Sequence, residues 1–336
     1  VNPTDPTAAA TSTMRAVTLA RYGTPADVTV GIRPVPEPGP DEVRVRVRAA
    51  GIDAGTLHLV TGTPYLMRVM GFGFRGPRGG RLGLAFAGDV AAVGSAVTAF
   101  SPGDRVVGSQ AGALAEFVCA PASAIVPIPD PVGYGAAATL PISGVTAIQA
   151  VRDVARVRAG QRVLVIGAGG GVGSFAVQLA VTAGATVTAV CSGAKAEFVR
   201  GLGASEVIDH TQTDITAAGR RWDAIIDLAG NRRLSRLRSI LAPRGTLVLV
   251  GGENGGAILG GMERMLGALL LTSVTRQRLR GLASRERAAD LADLAAQVAA
   301  GTLAPAIDTG YPLDRVGDAL RHVATARARG KVLVAL

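Results

Sequence analysis

The stretch "VLVIGAGGGVGSFAVQLA", residues 163–180, carries no charged side chain, and the uncharged run extends to Val190. Such a run could cross a bilayer, which takes about 20 apolar residues, fill a core, or surround a phosphate. The glycines decide between these. Gly167, Gly169, Gly170, Gly171 and Gly173 fall close together, and each would weaken a helix interior by up to about 1 kcal/mol relative to Ala. Val163 to Ile166 form a short aliphatic run of the kind found in a strand buried on both faces of a parallel sheet. Beyond the glycines, Phe175, Leu179 and Val181 with the small Ala176 and Ala180 read as a helix packed closely on that sheet. A second short strand, Thr186 to Val190, follows a break at Gly184. The order is strand, glycine turn, helix, strand.

Working outward, the chain changes texture on either side of this unit. From Met14 to about Pro131 it reads as short alternating strands with turn punctuation, as in "DEVRVRVRAAG" (41–51) and "FSPGDRVVG" (100–108). From about Tyr134 to Thr272, helical patterns alternate with aliphatic strands at Val163 to Ile166, Thr186 to Val190, Val207 to Asp209, Ala224 to Asp227 and Thr246 to Val250. That alternation predicts an α/β domain with a parallel sheet covered on both faces. The tail from Arg285 carries an amphipathic helix and ends in the strand "GKVLVAL". Val1 to Thr13 are rich in Pro, Thr and Ala without apolar periodicity and read as a flexible extension.

The sequence has 336 residues, 48% of them hydrophobic, enough for two domains with sizeable cores. Its two cysteines, Cys119 and Cys191, stand in no paired motif, which argues against a disulfide framework or a cysteine-based zinc site and fits a reducing cytoplasm. The formal charge of +10 invites a nucleic-acid reading. However, the arginines recur in small groups on helical segments, and aromatic residues make up only 4%, leaving few platforms for stacking bases. A solvated arginine surface, with neither nucleic acid nor membrane as partner, is the expectation.

In a doubly wound sheet, the turn after the first strand lets backbone amides approach a dinucleotide pyrophosphate while the helix amino terminus supplies partial positive charge. Side chains would obstruct that approach. Gly167, Gly169, Gly170 and Gly171 with Val172 are therefore the candidate phosphate cradle, the bland alternative being a packing turn without ligand. At the end of the second strand, an Asp or Glu would bond the ribose hydroxyls of NAD and repel a 2′-phosphate. Here Cys191 and Ser192 stand in that place and Lys195 follows, which favours NADP(H). Lys195 also admits the plain reading of an exposed lysine at a helix start.

These residues resemble the zinc-independent quinone oxidoreductase branch of the medium-chain dehydrogenases/reductases. The matching motifs are "GAGGGVGSFAVQLA", "LPISGVTAIQA" (140–150), "GDRVVG" (103–108), "AEFV" (115–118), "LGASEVIDH" (202–210), "PRGTLVLVGG" (243–252) and the terminal "RGKVLV". The resemblance implies a GroES-like β-rich catalytic domain built from residues 14–133 and 273–336, and a Rossmann NADP-binding domain over 134–272. In such relatives the residues matching Ser192, Lys195 and His210 surround the adenosine phosphate. Those matching Thr146, Ala229, Val250 and Gly251 line the cofactor nearer the nicotinamide, and Lys331 lies in a tail motif approaching the same cleft. The resemblance further implies NADPH as cofactor, no zinc, and a homodimer formed through Rossmann edge strands.

"RLGLAFAGDV" (81–90) lacks the His-Glu pair of zinc-dependent relatives, and no Cys cluster exists. Without a Lewis acid, hydride delivery works best on an electrophile that stabilises its own developing anion, such as a quinone or a conjugated carbonyl. The chain departs from its relatives where they carry Asn-Pro-x-Asp, since "IDAGT" puts Asp53 in place of the amide and Thr56 in place of the acid. A common aspartate is replaced by the apolar Leu84-Ala85-Phe86. His58, matching a tyrosine in some relatives, either donates the final proton or is an ordinary loop histidine; Asp53 either orients substrate or is a solvated carboxylate. The segment 60–80, rich in Gly, Met, Phe and Arg, is expected to fold over the cleft and set specificity. The expected activity is NADPH-dependent reduction of a quinone or α,β-unsaturated carbonyl, a small-molecule substrate. Alternatives are an enoyl-thioester or specialised-metabolite reductase, a nucleotide-binding protein that has lost turnover, and nucleic-acid binding through arginine.

Overall fold

The computed structural model describes residues 12–216, 219–251, 256, 258–272 and 275–336. An amino-terminal hairpin pairs β1 (Thr13–Thr18) with β2 (Thr29–Pro34). The β-rich domain follows with β3 (Glu42–Ile52), β4 (Ala85–Val93), β5 (Arg105–Ser109), β6 (Phe117–Pro121) and β7 (Ile125–Pro127). The second domain contributes β8 (Arg162–Ile166), β9 (Thr186–Cys191), β10 (Glu206–Asp209), β11 (Trp222–Asp227), β12 (Leu241–Leu249) and β13 (Arg278–Gly281). Finally β14 (Ile307–Pro312) and β15 (Lys331–Ala335) return to the first sheet, whose order is β14-β15-β3-β4-β5-β7 with β6 also on β3. The alternation in β3 is obeyed literally: Val43, Val45 and Val47 are buried while Arg46 and Arg48 face solvent.

The second sheet is wholly parallel, in the order β10-β9-β8-β11-β12-β13. This is the doubly wound Rossmann order, with its reversal point between β8 and β11. Burial explains why β8 lacks polar alternation. Val163 and Val165 belong to one apolar core, Leu164 and Ile166 to another, so successive side chains enter layers on opposite faces. The helix Gly171–Thr182 buries Phe175, Ala176, Leu179 and Ala180 against the first of these layers. A ligand-binding crevice is thereby set at the carboxyl ends of β8 and β11.

Three features depart from the sequence expectation. Beyond residue 272, where the chain was expected to leave the parallel sheet, β13 pairs with β12, and the helix Ala288–Ala299 packs Leu291, Leu294 and Ala295 into the core that Val163 and Val165 share with Ala49 and Val107 of the β-rich sheet. The strand "RLRG" buries only Leu279, so as an edge strand it shows no aliphatic run. Within the β-rich domain, a helix spans Ala54–Thr61, where Asp53 is its N-cap. At the amino end, residues 1–11 of the expected extension lie outside the described residues, and Thr13 already belongs to β1.

Many arginines form surface ion pairs, including Arg220 with Glu206 and both Arg315 and Arg321 with Asp318. His322, on the helix Val316–Ala324, bonds Tyr311 and Asp308 and serves the packing of β14. Among the described residues, no helix is long and apolar enough to cross a membrane.

Candidate active site

The crevice is built on the main chain. After β8, Gly167 turns at φ +87°, a conformation that disfavours any side chain. A β-carbon on Gly173 would lie 2.2 Å from the Gly167 carbonyl oxygen, so the turn closes this tightly only with glycine there. Gly170 is the N-cap of the helix Gly171–Thr182, with no side chain capping it. The N–H groups of Gly171, Val172 and Gly173 have no acceptor within the helix and carry its partial positive charge. Such an end suits an anion, and the cradle fits the pyrophosphate of a dinucleotide.

Ser192, Lys195 and His210 gather beyond β9. The His210 N–H donates to the Cys191 carbonyl at 3.1 Å, and its ring is exposed. Lys195 is more constrained than an exposed helix-start lysine. Its ammonium donates to the carbonyls of Ala326 at 2.9 Å and Ala328 at 2.6 Å, and lies 3.5 Å from that of Gly169. Burial lowers its pKa. Lys195 thus ties the carboxyl-terminal segment to the cradle, while Arg329, bonded to the Ala194 carbonyl at 3.1 Å, adds a cation beside Ser192. Asp308 lies near enough to act on Lys195, and Asp209 accepts from the Thr211 N–H and hydroxyl, which hold its pKa below the usual carboxylate range.

At the other end of the crevice, Val250 and Gly251 follow β12, their N–H groups donating to the Asp227 carbonyl at 3.0 and 3.3 Å. Ala229 lies two residues past β11, half-buried. Facing them, the Thr146 hydroxyl donates to Ser284 Oγ at 2.9 Å, and Gln149 clamps Arg285 through both its N–H and its carbonyl. Next in line, both carboxylate oxygens of Glu286 accept from the Ile142 N–H, at 3.2 and 3.3 Å. Ile142 has φ +59°, a strained conformation for a β-branched residue, which aims this N–H at the carboxylate.

Lys331 brings the two lobes together. It is 1% exposed, donates to Ser143 Oγ at 3.0 Å and lies 3.8 Å from Asp53 Oδ2. A β-carbon on Gly171 would fall 2.9 Å from its Cδ, so the cradle and the ammonium stem are in contact. Burial lowers the Lys331 pKa and Asp53 opposes that shift. Asp53 is not the solvated carboxylate that the sequence allowed: its side chain is 9% exposed, and Oδ1 caps the helix at the Thr56 N–H. Oδ2 is buried without a hydrogen bond. His58 is half-buried on the same helix, and its ring bonds none of these groups.

Ser143, Ser284 and Glu286 escaped sequence reasoning. Ser143 lay inside a quoted motif, and Glu286 lay in the tail segment read only for its amphipathic helix. The Lys331–Asp53 pair generates a direct test: removing one partner of a buried pair costs about 3–5 kcal/mol because the other charge is stranded. Lys331→Met should lose stability on that scale in urea denaturation. The double variant Asp53→Asn/Lys331→Met should lose at least about 1 kcal/mol less than the sum of the singles; strict additivity would contradict the pairing.

Residues 39–130 match the family described as alcohol dehydrogenase GroES-like domain, and residues 202–334 match zinc-binding dehydrogenase. The chain is 33% identical to a chloroplast envelope quinone oxidoreductase homolog of Arabidopsis thaliana over 74% of its own length and 77% of that protein. It is also 32% identical over 90% of its length to the pikromycin polyketide synthase component PikAII of Streptomyces venezuelae, of which it spans 8%. Among solved structures, the quinone oxidoreductase from Coxiella burnetii superposes with a TM-score of 0.84 at 26% identity, covering 97% of this chain and 100% of that one. With the parallel Rossmann sheet, the GroES-like domain and the glycine cradle, these likenesses show that the chain belongs to the quinone oxidoreductase-like branch of the medium-chain dehydrogenases/reductases, a family of nicotinamide-dependent oxidoreductases.

Proposed function

We propose that this chain is an NADPH-dependent, metal-independent oxidoreductase that reduces a quinone or an α,β-unsaturated carbonyl. The carrying observation is the glycine cradle, which leads from a cationic end at Ser192, Lys195 and Arg329 to a polar pocket at Thr146, Ser284 and Glu286. The cationic end, with Ser192 where an acid would repel a 2′-phosphate, supports NADPH over NADH. Among the described residues, no group of three His, Cys, Asp or Glu side chains is placed to hold a metal ion; the proposed metal independence rests on the sequence.

When bound, NADPH supplies the hydride. The chain's own groups would do the rest: the amides of Gly171, Val172 and Gly173 would hold the pyrophosphate, Thr146 and Ser284 would offer hydroxyls further along the crevice, and the two lobes would screen it from water. The segment 60–80 is proposed to set specificity. Its Leu66 N–H donates to the Ile258 carbonyl at 3.1 Å, bringing the segment against residues beyond β12, and Tyr65 and Phe72 stay exposed. Arg68 sits between the rings of Tyr22 and Tyr65, 4.6 Å from each centroid.

A cytoplasmic homodimer is part of the same reading. The open edge of β13 and the outward Leu266, Leu269 and Leu270 of the helix Met262–Thr272 support a second copy of the chain there. The likeness to a polyketide synthase component favours a second reading, reduction of an enoyl thioester.

The assay is NADPH oxidation with menadione, an unsaturated ketone and the crotonyl thioester of N-acetylcysteamine. Turnover of the first two supports the proposal, thioester turnover alone supports the second reading, and tight cofactor binding without turnover of any of the three identifies a lapsed enzyme. Ser192→Asp should weaken NADPH at least about tenfold while sparing NADH, because a carboxylate there faces the 2′-phosphate; equal effects on both would contradict the assignment. Alanine at Tyr65, Met67 or Phe72 should change the ratio of kcat/KM between menadione and the ketone by about tenfold or more, and an unchanged ratio would remove that segment from the specificity account.

A further inference from the structure

The pocket contains an acid that no family motif brought forward. We propose that Glu286 is the catalytic acid that protonates the substrate anion after hydride transfer, an inference that rests on the reductase reading above. Once an enone or quinone has accepted a hydride, it holds one negative charge on an enolate or quinol oxygen. The Glu286 O–H bond breaks, its proton joins the anion at carbon or oxygen, and the bonding electron pair stays on the carboxylate. Water then restores the proton, so the substrate has gained one hydride and one proton in all.

Geometry carries this assignment. Glu286 is exposed, yet the Ile142 N–H holds its carboxylate from one side at 3.2 and 3.3 Å. The loop beneath it is anchored at both preceding residues, Ser284 through Thr146 and Arg285 through Gln149. Ile142 adjoins Ser143, which receives the Lys331 ammonium beside Gly171, so the carboxyl is tied through one neighbouring residue to the cradle that would hold a dinucleotide. The Asp53 carboxylate, nine-tenths buried with Oδ2 lacking a hydrogen bond, completes the polar wall. Neither earlier candidate serves as well: Asp53 is spent on the helix cap and on Lys331, and the His58 ring bonds no member of the cluster.

The charges that face Glu286 explain its acid form. Incomplete hydration in the cleft is the largest cause, with Asp53 from the N-cap of Ala54–Thr61 and Asp290 from the helix Ala288–Ala299 adding repulsion, and together they push its pKa up to about 7 despite the Ile142 N–H. Among the described residues, no cation forms an ion pair with Glu286: Lys331 is turned to Asp53, Arg152 pairs with Asp290 at 2.6 Å and with Asp153, and Arg287 lies 3.4 Å from Asp153 and 4.0 Å from Asp290. A general acid works best when its pKa lies near the working pH.

The test compares the full-length protein with Glu286→Gln, whose amide oxygen can still accept from Ile142, and with Glu286→Asp. Using NADPH and the best substrate of the panel, Glu286→Gln should lower kcat at least about 100-fold, leave the KM for NADPH within about twofold, and lose the alkaline limb of the kcat profile. Glu286→Asp should recover part of the rate. A second readout needs no cofactor. Because folding raises this carboxyl's pKa from an ordinary 4.5 to about 7, the folded state binds more protons than the unfolded state between those values. Stability must therefore fall with rising pH across that window, so the Tm of the wild type should decline relative to that of Glu286→Gln between about pH 5 and about pH 8. Wild-type kcat with an intact alkaline limb in Glu286→Gln, or a constant Tm difference, would overturn the assignment. A wild-type protein that reduces none of the panel fails at the reductase reading itself, an outcome distinct from an active enzyme indifferent to Glu286.

Discussion

Everything in this structure leans on the close passage of main chain past main chain between Gly167 and Gly173. A single β-carbon at Gly173 would fall 2.2 Å from the Gly167 oxygen, so the helix can begin this near the strand only where side chains are missing. That approach leaves the first amides of the helix without internal acceptors and aims them at the reversal point of the sheet. The parallel sheet, with its two apolar layers, holds β8 rigid enough for the approach to persist. The site is thus a property of backbone packing before it is one of side chains.

The cradle is also where the two lobes are joined. Gly330 donates its N–H to the Gly169 carbonyl at 3.2 Å, Lys195 gathers the carbonyls of residues 326 and 328, and Lys331 reaches across to Ser143 and Asp53. Buried charge of this kind adds little net stability, because desolvation offsets attraction. What it supplies is specificity of placement: an ammonium at 1% exposure can be tolerated only with Ser143 and Asp53 in position. The terminal strand, the helix at Asp53 and the cradle are therefore held in one arrangement.

Local patterns in the chain made much of this legible. Strand, glycine turn, helix and strand around residue 167 could be read because each has its own periodicity, and the order of the aliphatic strands implied the doubly wound sheet. What escaped has a common physical cause. The strand at Leu279 buries a single side chain, and the helix after Asp53 lies within a stretch of alternating strands, so neither shows a sustained pattern. Lys195 and Lys331 stood out in a chain that otherwise uses arginine, yet their partners lie more than a hundred positions away, at Ala328 and Asp53. Glu286 was the least visible, since in "SRER" nothing local separates a carboxyl facing a cleft from one facing bulk water.

Calorimetric titration with NADPH, on the wild type and on Gly173→Ala, addresses the cradle most directly. The wild type should bind in the micromolar range, about 8 kcal/mol of affinity. Gly173→Ala, while still folded by circular dichroism, should lose at least about 100-fold of it, near 2.7 kcal/mol. Undiminished binding by the alanine variant, or no heat from either NADPH or NADH with the wild type, would contradict the account.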